Sequence, residues 1–281
     1  MELLSFEYQG HASYGAMKDG KVVDLGRLLG PKFPSLRHLL AADAVSEAGR
    51  ALETATPDLT LNQISFLPVI ADPAKIICIG INYAAHAAEG GHQRPTRPPV
   101  FTRWADSLVG HERPIIRPAV STMYDWEVEL CVVIARRAWQ VAAKDALSHV
   151  AGYTIVNEGS VRDWQRHSPQ FIPGKNFYRS GAIGPWMVTS DEISNPSGLR
   201  LTTKLNGEVM QDSNTSDLIF DVPYLIEYLS TFTPLEPGDL ISTGTPSGVG
   251  FPRKPPIFMK PGDIMELEIE RIGILRNKVS E

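Results

Sequence analysis

Three carboxylates at alternate positions make Asp125-Trp126-Glu127-Val128-Glu129-Leu130 the most chemically loaded segment of the chain. On a β-strand, residues two apart share a face. Asp125, Glu127 and Glu129 therefore project together, opposite Trp126, Val128 and Leu130. A solvated edge-strand face is the plain alternative. The continuation, Leu130-Cys131-Val132-Val133-Ile134-Ala135, argues against it, because it is apolar at every position, the mark of a strand covered on both sides. Carboxylates running into a buried strand repel one another and are costly to desolvate without a counter-charge. A hard divalent cation supplies one. Oxygen-only ligands favour magnesium over zinc, with manganese and calcium as alternatives. Magnesium keeps several coordination positions for water, which leaves room for a substrate. Glu158, closing the strand-like run 152–158, offers a third ligand; an acid at a helix start is its simpler reading.

A candidate base stands elsewhere. His86 and Glu89 are three apart in the short helical stretch 82–91, so they share a face and can hydrogen-bond. A carboxylate behind an imidazole fixes its tautomer and raises its basicity; two polar residues on an exposed helix is the bland alternative. Gly90-Gly91 would let such a helix hinge as a lid, or simply cap it. Arg162 and Gln165, also three apart, can point the same way, with Asp163 bracing Arg162 or a nearby loop. The run Ser242-Thr243-Gly244-Thr245-Pro246-Ser247-Gly248 is glycine-rich after a strand, yet no Gly-Lys-Ser/Thr follows and no helix opens, so it is not a phosphate loop. His11, His38, His92, His111, His149 and His167 show no metal-ligand spacing and are expected to be structural or on the surface.

These groups need a scaffold, and 281 residues suffice for one large domain or a large and a small one. Residues 1–70 read as a small separate α/β unit: two strand pieces joined at Asp19-Gly20, then a helical run over 35–55. Asp72-Pro73 breaks the pattern and residues 71–281 form the main domain. Its strands are expected around 75–80, 125–135, 152–158, 240–244 and 264–270, with a hairpin at Asn206-Gly207. Asp221 caps a helix carrying Pro223 in its first turn. Many strands without regular βαβ alternation indicate an α+β fold. Cys78 and Cys131 lie inside apolar runs and read as small buried hydrophobes. A net charge of −5 and the lack of a Lys/Arg run argue against nucleic acid. No apolar run reaches 18 residues and no signal peptide is visible, so a cytoplasmic protein without membrane partners is expected.

Five stretches in order, CIGINYAAHAAE, DWEVEL, NEGSVRDWQ, GKNF followed by AIGPW, and ISTGTPSGVG, resemble the fumarylacetoacetate hydrolase family over residues 71–281. The resemblance implies a mixed sheet rolled on itself, a homodimer, and magnesium or calcium held by Glu127, Glu129 and Glu158. The family usually has Asp at the last position, so one extra methylene must be accommodated. It also implies that His86 with Glu89 activates water, that Lys175 lies near the metal, and that Arg162, Gln165 and Thr245 contact substrate oxygens. Arg103-Trp104 stands where many members have Lys-Pro, which makes Arg103 a candidate for gripping a substrate carboxylate; pairing with Asp106 is the plainer role.

The expected reaction is metal-dependent hydrolysis of a carbon–carbon bond in a small 2,4-dioxo acid, of the acylpyruvate, fumarylpyruvate or maleylpyruvate type, in aromatic or sugar-acid catabolism. His86 would generate the attacking hydroxide, and the metal and Lys175 would stabilise the departing enolate. A decarboxylase, isomerase or tautomerase of an oxaloacetate-like or hydroxymuconate-like acid needs only the enolate half of that chemistry. A non-catalytic protein that binds a metal or organic acid is the rival from another class.

Overall fold

Val128–Ile134, the strand that follows the acidic segment, runs through the middle of an eleven-stranded mixed sheet in a computed structural model that describes residues 1–281. All seven of its residues are buried. It pairs antiparallel with Val150–Asn157 on one side and with Leu240–Ser242 on the other. The last is followed by the parallel strand Ile76–Ile79 and by the edge strand Val100–Thr102. A second sheet of five strands is built around the hairpin Arg200–Leu205 and Glu208–Asn214, followed by Ile264–Ile269 and Gly273–Ser280. The architecture is a mixed α+β fold with mixed sheets, as the strand-rich pattern requires.

The alternation of the central strand divides the interior in two. Val128, Leu130, Val132 and Ile134 point into a core shared with Leu201, Leu267 and Leu275 of the second sheet. Cys131 and Val133 point the other way, into a core shared with Leu25, Leu36 and Leu39 of the N-terminal helices. Glu129 has the parity of Cys131, so it lies on this second face, where Cys78 and Phe101 also sit. Both cysteines are unpaired and buried, as their apolar settings imply.

Residues 1–70 differ from the separate unit expected. Their strand Glu2–Tyr8 pairs with Gly181–Thr189 and extends the main sheet, and their helices share the second core with Ile76 and Cys131. The region also has four strands, Glu2–Tyr8, His11–Lys18, Lys21–Asp24 and Ser65–Phe66, rather than two. Asp19-Gly20 makes the expected turn, with both φ positive, but Gln9-Gly10 makes another of the same kind between Tyr8 and His11. Gln lacks the short side chain that marks such turns in sequence. The single helical run over 35–55 is two helices, Leu36–Ala41 and Val45–Thr54, broken where Asp43 takes φ 52°. The helix Val222–Phe232 starts as read, with the Asp221 carboxylate accepting from Tyr224 N at 2.9 Å. No helix is long and apolar enough to cross a membrane.

Candidate metal centre and active site

Sheet register assembles the acids. Val128 lies opposite Asn157, so the ends of the two strands bring Glu127 beside Glu158, whose N–H donates to the Glu127 carbonyl at 2.9 Å. One carboxylate oxygen from each of Glu127, Glu129 and Glu158 lies within 4.8 Å of the others, and all three residues are buried. Ser242 Oγ and Gly244 N both donate to Glu129 Oε2, at 2.6 and 2.7 Å, and Ser160 Oγ donates to Glu127 Oε1 at 3.1 Å. Gly244 can do this because it adopts φ +100°, and a Cβ there would stand 2.7 Å from Asn82 Cβ.

Lys175 Nζ reaches Glu127 Oε2 at 2.7 Å and Glu158 Oε2 at 3.2 Å. Its short helix, Ile172–Lys175, approaches through Gly174, where a Cβ would come within 2.4 Å of the Gln165 backbone. Arg162 bridges Asp125 at 2.8 Å and Glu127 at 2.7 Å, and donates to Gln165 Oε1 at 3.0 Å. Asp125 is therefore separated from the Glu127–Glu129–Glu158 cluster by a guanidinium. The strand is interrupted at Trp126–Glu127, and the Asp125 carboxylate accepts instead from Gly250 N, Phe251 N and Arg162.

Four buried carboxylates, Asp125, Glu127, Glu129 and Glu158, thus face two buried cations, Arg162 and Lys175. The deficit equals the charge of one divalent ion. Glu158 Oε1 is buried with no hydrogen-bond partner, which a polar atom tolerates only when something else satisfies it. The donor set is oxygen-only, so the triad can hold a hard divalent metal. Without one, burial drives the Glu129 carboxyl well above the usual carboxylate range, helped by the charges of Glu158 and Glu127. Burial also pushes Glu127 upward, but the Lys175 and Arg162 charges outweigh it and bring Glu127 down to about 2.

Glu127, Glu129, Glu158, Arg162 and Lys175, but not Asp125, line a cavity of about 580 Å³ together with His86, Gln165, Thr245 and Phe101. His86 Nδ1 lies 3.4 Å from Glu89 Oε2, and Glu89 is fixed from behind by Gly248 N at 3.0 and 3.1 Å. Thr245 Oγ1 accepts from Gln211 Nε2 at 2.9 Å, which leaves its own proton for a ligand. Asp163 accepts from Ser121 Oγ and so braces a loop rather than Arg162.

Arg103 is a correction. It is buried and outside the cavity lining. Its guanidinium donates to Ser107 Oγ and the Gly159 carbonyl at 3.1 and 3.0 Å, to Ser180 Oγ at 3.1 Å and to the Ser107 carbonyl at 3.4 Å. A side chain so committed ties three loops together; Asp106 is not among its partners. We predict that Arg103→Gln lowers stability by about 2–4 kcal/mol while leaving the KM of the folded enzyme unchanged, as paired melting and kinetic measurements would test.

Several supporting residues had no sequence signal of their own. Asn82 donates to the Thr243 and Phe220 carbonyls and accepts from Phe220 N, which anchors the helix Ala84–Glu89 to two loops. Its neighbour Ile81 lines the cavity at φ 51°, a costly conformation for a β-branched residue. Ser242 meets Glu129 only through a long-range strand pairing. His92, expected to be structural or on the surface, also lines the cavity.

The fumarylacetoacetate hydrolase C-terminal profile matches residues 75–280. The chain therefore belongs to the fumarylacetoacetate hydrolase family. It is 41% identical over 274 residues to a Bos taurus protein named oxaloacetate tautomerase FAHD2A, mitochondrial, covering 96% of this chain and 87% of that one. A 2-hydroxyhepta-2,4-diene-1,7-dioate isomerase from Mycobacterium marinum superposes with a TM-score of 0.76 at 30% identity, covering 100% of this chain and 98% of that one. The maleylpyruvate hydrolase from Sphingobium sp. SYK-6, solved with manganese(II) and pyruvate, superposes with a TM-score of 0.82 at 27% identity over 100% and 99% of the two chains.

Proposed function

We propose that this protein interconverts the enol and keto forms of a small 2-oxo acid of the oxaloacetate type. The observation that carries this is the buried Lys175 ammonium, held between two of the three clustered carboxylates and facing the cavity. Burial lowers the affinity of Lys175 for its proton, but Glu127 and Glu158 more than reverse that, so the net shift is upward. It is a proton donor beside a site made for an enolate. The bovine relative's name supplies the substrate class. This reading takes precedence over the carbon–carbon hydrolysis expected at first, because tautomerisation needs only proton movement at an enolate.

A divalent ion held by Glu127, Glu129 and Glu158, magnesium on the chemistry of the donors, would supply Lewis acidity toward the 2-oxo acid end. Arg162 Nη2, buried with no hydrogen-bond partner, and Thr245 offer donors for a substrate carboxylate. Gln165 keeps Arg162 in place. His86, backed by Glu89, takes the enol hydroxyl proton, and Lys175 Nζ delivers a proton to the neighbouring carbon. Ketonisation is the sum of these two transfers, and enolisation reverses both.

The His86–Glu89 contact also favours a second reading, acylpyruvate hydrolysis, which requires a base for water. The two separate in one assay series. The magnesium-loaded protein is given enol-oxaloacetate, and decay of the enol absorbance over buffer background is followed while pyruvate and carbon dioxide are measured. Enol decay without either product supports the tautomerase. Pyruvate plus an acid released from an acylpyruvate supports the hydrolase, and carbon dioxide release moves the protein to a decarboxylase. His86→Ala should lower tautomerase kcat/KM by about 10²-fold. Full retention of rate would remove His86 from the mechanism.

A further inference from the structure

Arg166 is the charged residue of the cavity that none of these roles uses. It is exposed, whereas the acids of the cavity, Glu127, Glu129 and Glu158, are buried at its other end. Those acids face Arg162 and Lys175 and could hold a divalent ion, and the cavity lining contains no other carboxylate. Arg166 makes no ion pair. Its guanidinium instead lies 4.5 Å from the centroid of the Phe251 ring, which leaves its N–H edge available.

This placement is built rather than incidental. Arg162 and Arg166 are four apart across the helix Arg162–Gln165 and its C-cap, so they share a face. The same carboxylate, Asp125, receives Arg162 Nε at 2.8 Å and Phe251 N at 3.0 Å. One buried acid thus sets both the inner arginine and the ring on which the outer arginine rests. Four residues of helix advance about 6 Å along its axis, a spacing suited to the two ends of a short dicarboxylate.

We infer that Arg166 binds the distal carboxylate of the substrate and makes the site selective for dicarboxylic over monocarboxylic 2-oxo acids. The inference rests on the oxo-acid reading above and adds the second charge of the substrate. A planar guanidinium stacked on an aromatic ring grips a carboxylate bidentately, which a lysine cannot reproduce.

The test compares oxaloacetate with pyruvate, which lacks only the distal carboxylate, by calorimetry on the magnesium-loaded full chain. Arg166→Gln is expected to weaken oxaloacetate binding about tenfold to a hundredfold and to leave pyruvate binding unchanged, with Arg166→Lys in between. Arg166 is exposed, so both variants should melt with the wild type. Turnover is measured separately. Selectivity that depends on Arg166 without turnover would retain this inference and reject the tautomerase. Turnover with unchanged selectivity in Arg166→Gln would reject this inference alone. Failure of both acids to bind would overturn both.

Discussion

Replacing Glu129 by glutamine is expected to abolish turnover and to weaken divalent-metal binding sharply while raising the melting temperature of the metal-free protein. The two effects have one origin. Glu129 is buried beside two other carboxylates and, without a metal, retains its proton well above its ordinary value of 4.5, chiefly through burial. Glutamine is the neutral isostere of that protonated state. It still accepts from Ser242 Oγ and Gly244 N, and its amide can donate toward the unpartnered Glu158 Oε1. Glutamine removes the cost of holding protonated, in the fold, a carboxyl that the unfolded chain keeps ionised, which should stabilise the metal-free fold by about 1–3 kcal/mol, roughly 2–4 °C per kcal/mol for a chain of this size. Metal affinity should fall by more than the roughly 10- to 100-fold typical of losing a supporting residue.

The pH dependence follows with a definite sign. The folded metal-free protein holds the Glu129 proton where the unfolded chain has released it. This contribution to stability is full below pH 4.5 and is lost as pH rises toward the raised folded value. Glu127 acts oppositely: held at about 2, it contributes stability above 4.5 that is lost as pH falls through that lower value. Metal binding must displace the Glu129 proton, so magnesium affinity should rise with pH by up to about tenfold per unit, and Glu129→Gln should remove that slope. Calorimetry in buffers of different ionisation enthalpy would count the released proton. A metal-free Glu129→Gln protein that melts below the wild type would show that Glu129 is ionised and that this account of the site is wrong.

The clustered acids were legible because their physics is local. Alternation places Glu127 and Glu129 on one face, and the apolar continuation says that the face is buried. Asp125 has the same parity and the same chemistry, yet it serves Arg162 and Phe251 instead. The difference is an interruption of the strand at Trp126–Glu127, which no alternation pattern announces. Arg103 failed for a related reason. An arginine standing where many family members have Lys-Pro looks available for substrate until the long-range packing of Gly159 and Ser180 claims its donors. Ser242 and Asn82 act through contacts more than a hundred residues away in sequence. The N-terminal region shows the same limit at larger scale: its helices and turns are local, but the pairing of Glu2–Tyr8 with Gly181–Thr189 is not.

Lys175 is where charge and proton transfer separate most cleanly, and two substitutions should divide them. Lys175→Met removes the cation bonded to Glu127 and Glu158. Loss of one partner from a buried ionic cluster costs about 3–5 kcal/mol, so the metal-free variant should melt far below the wild type. A divalent ion then meets less competition for the same oxygens, so its affinity should increase and magnesium should recover most of the lost stability. Turnover should not recover, because no proton donor remains at that position; a loss of about 10²–10⁴-fold is expected. Lys175→Arg keeps a positive charge against both carboxylates but cannot release a proton. It should hold the metal-free fold nearer to the wild type and remain as inactive as the methionine variant. Melting with and without magnesium, set beside enol-oxaloacetate kinetics, reads all four quantities. An active Lys175→Arg enzyme would make the ammonium an electrostatic element only and would leave His86 to move both protons. Stability recovered by magnesium without activity, in both variants, would assign the proton at the substrate carbon to Lys175.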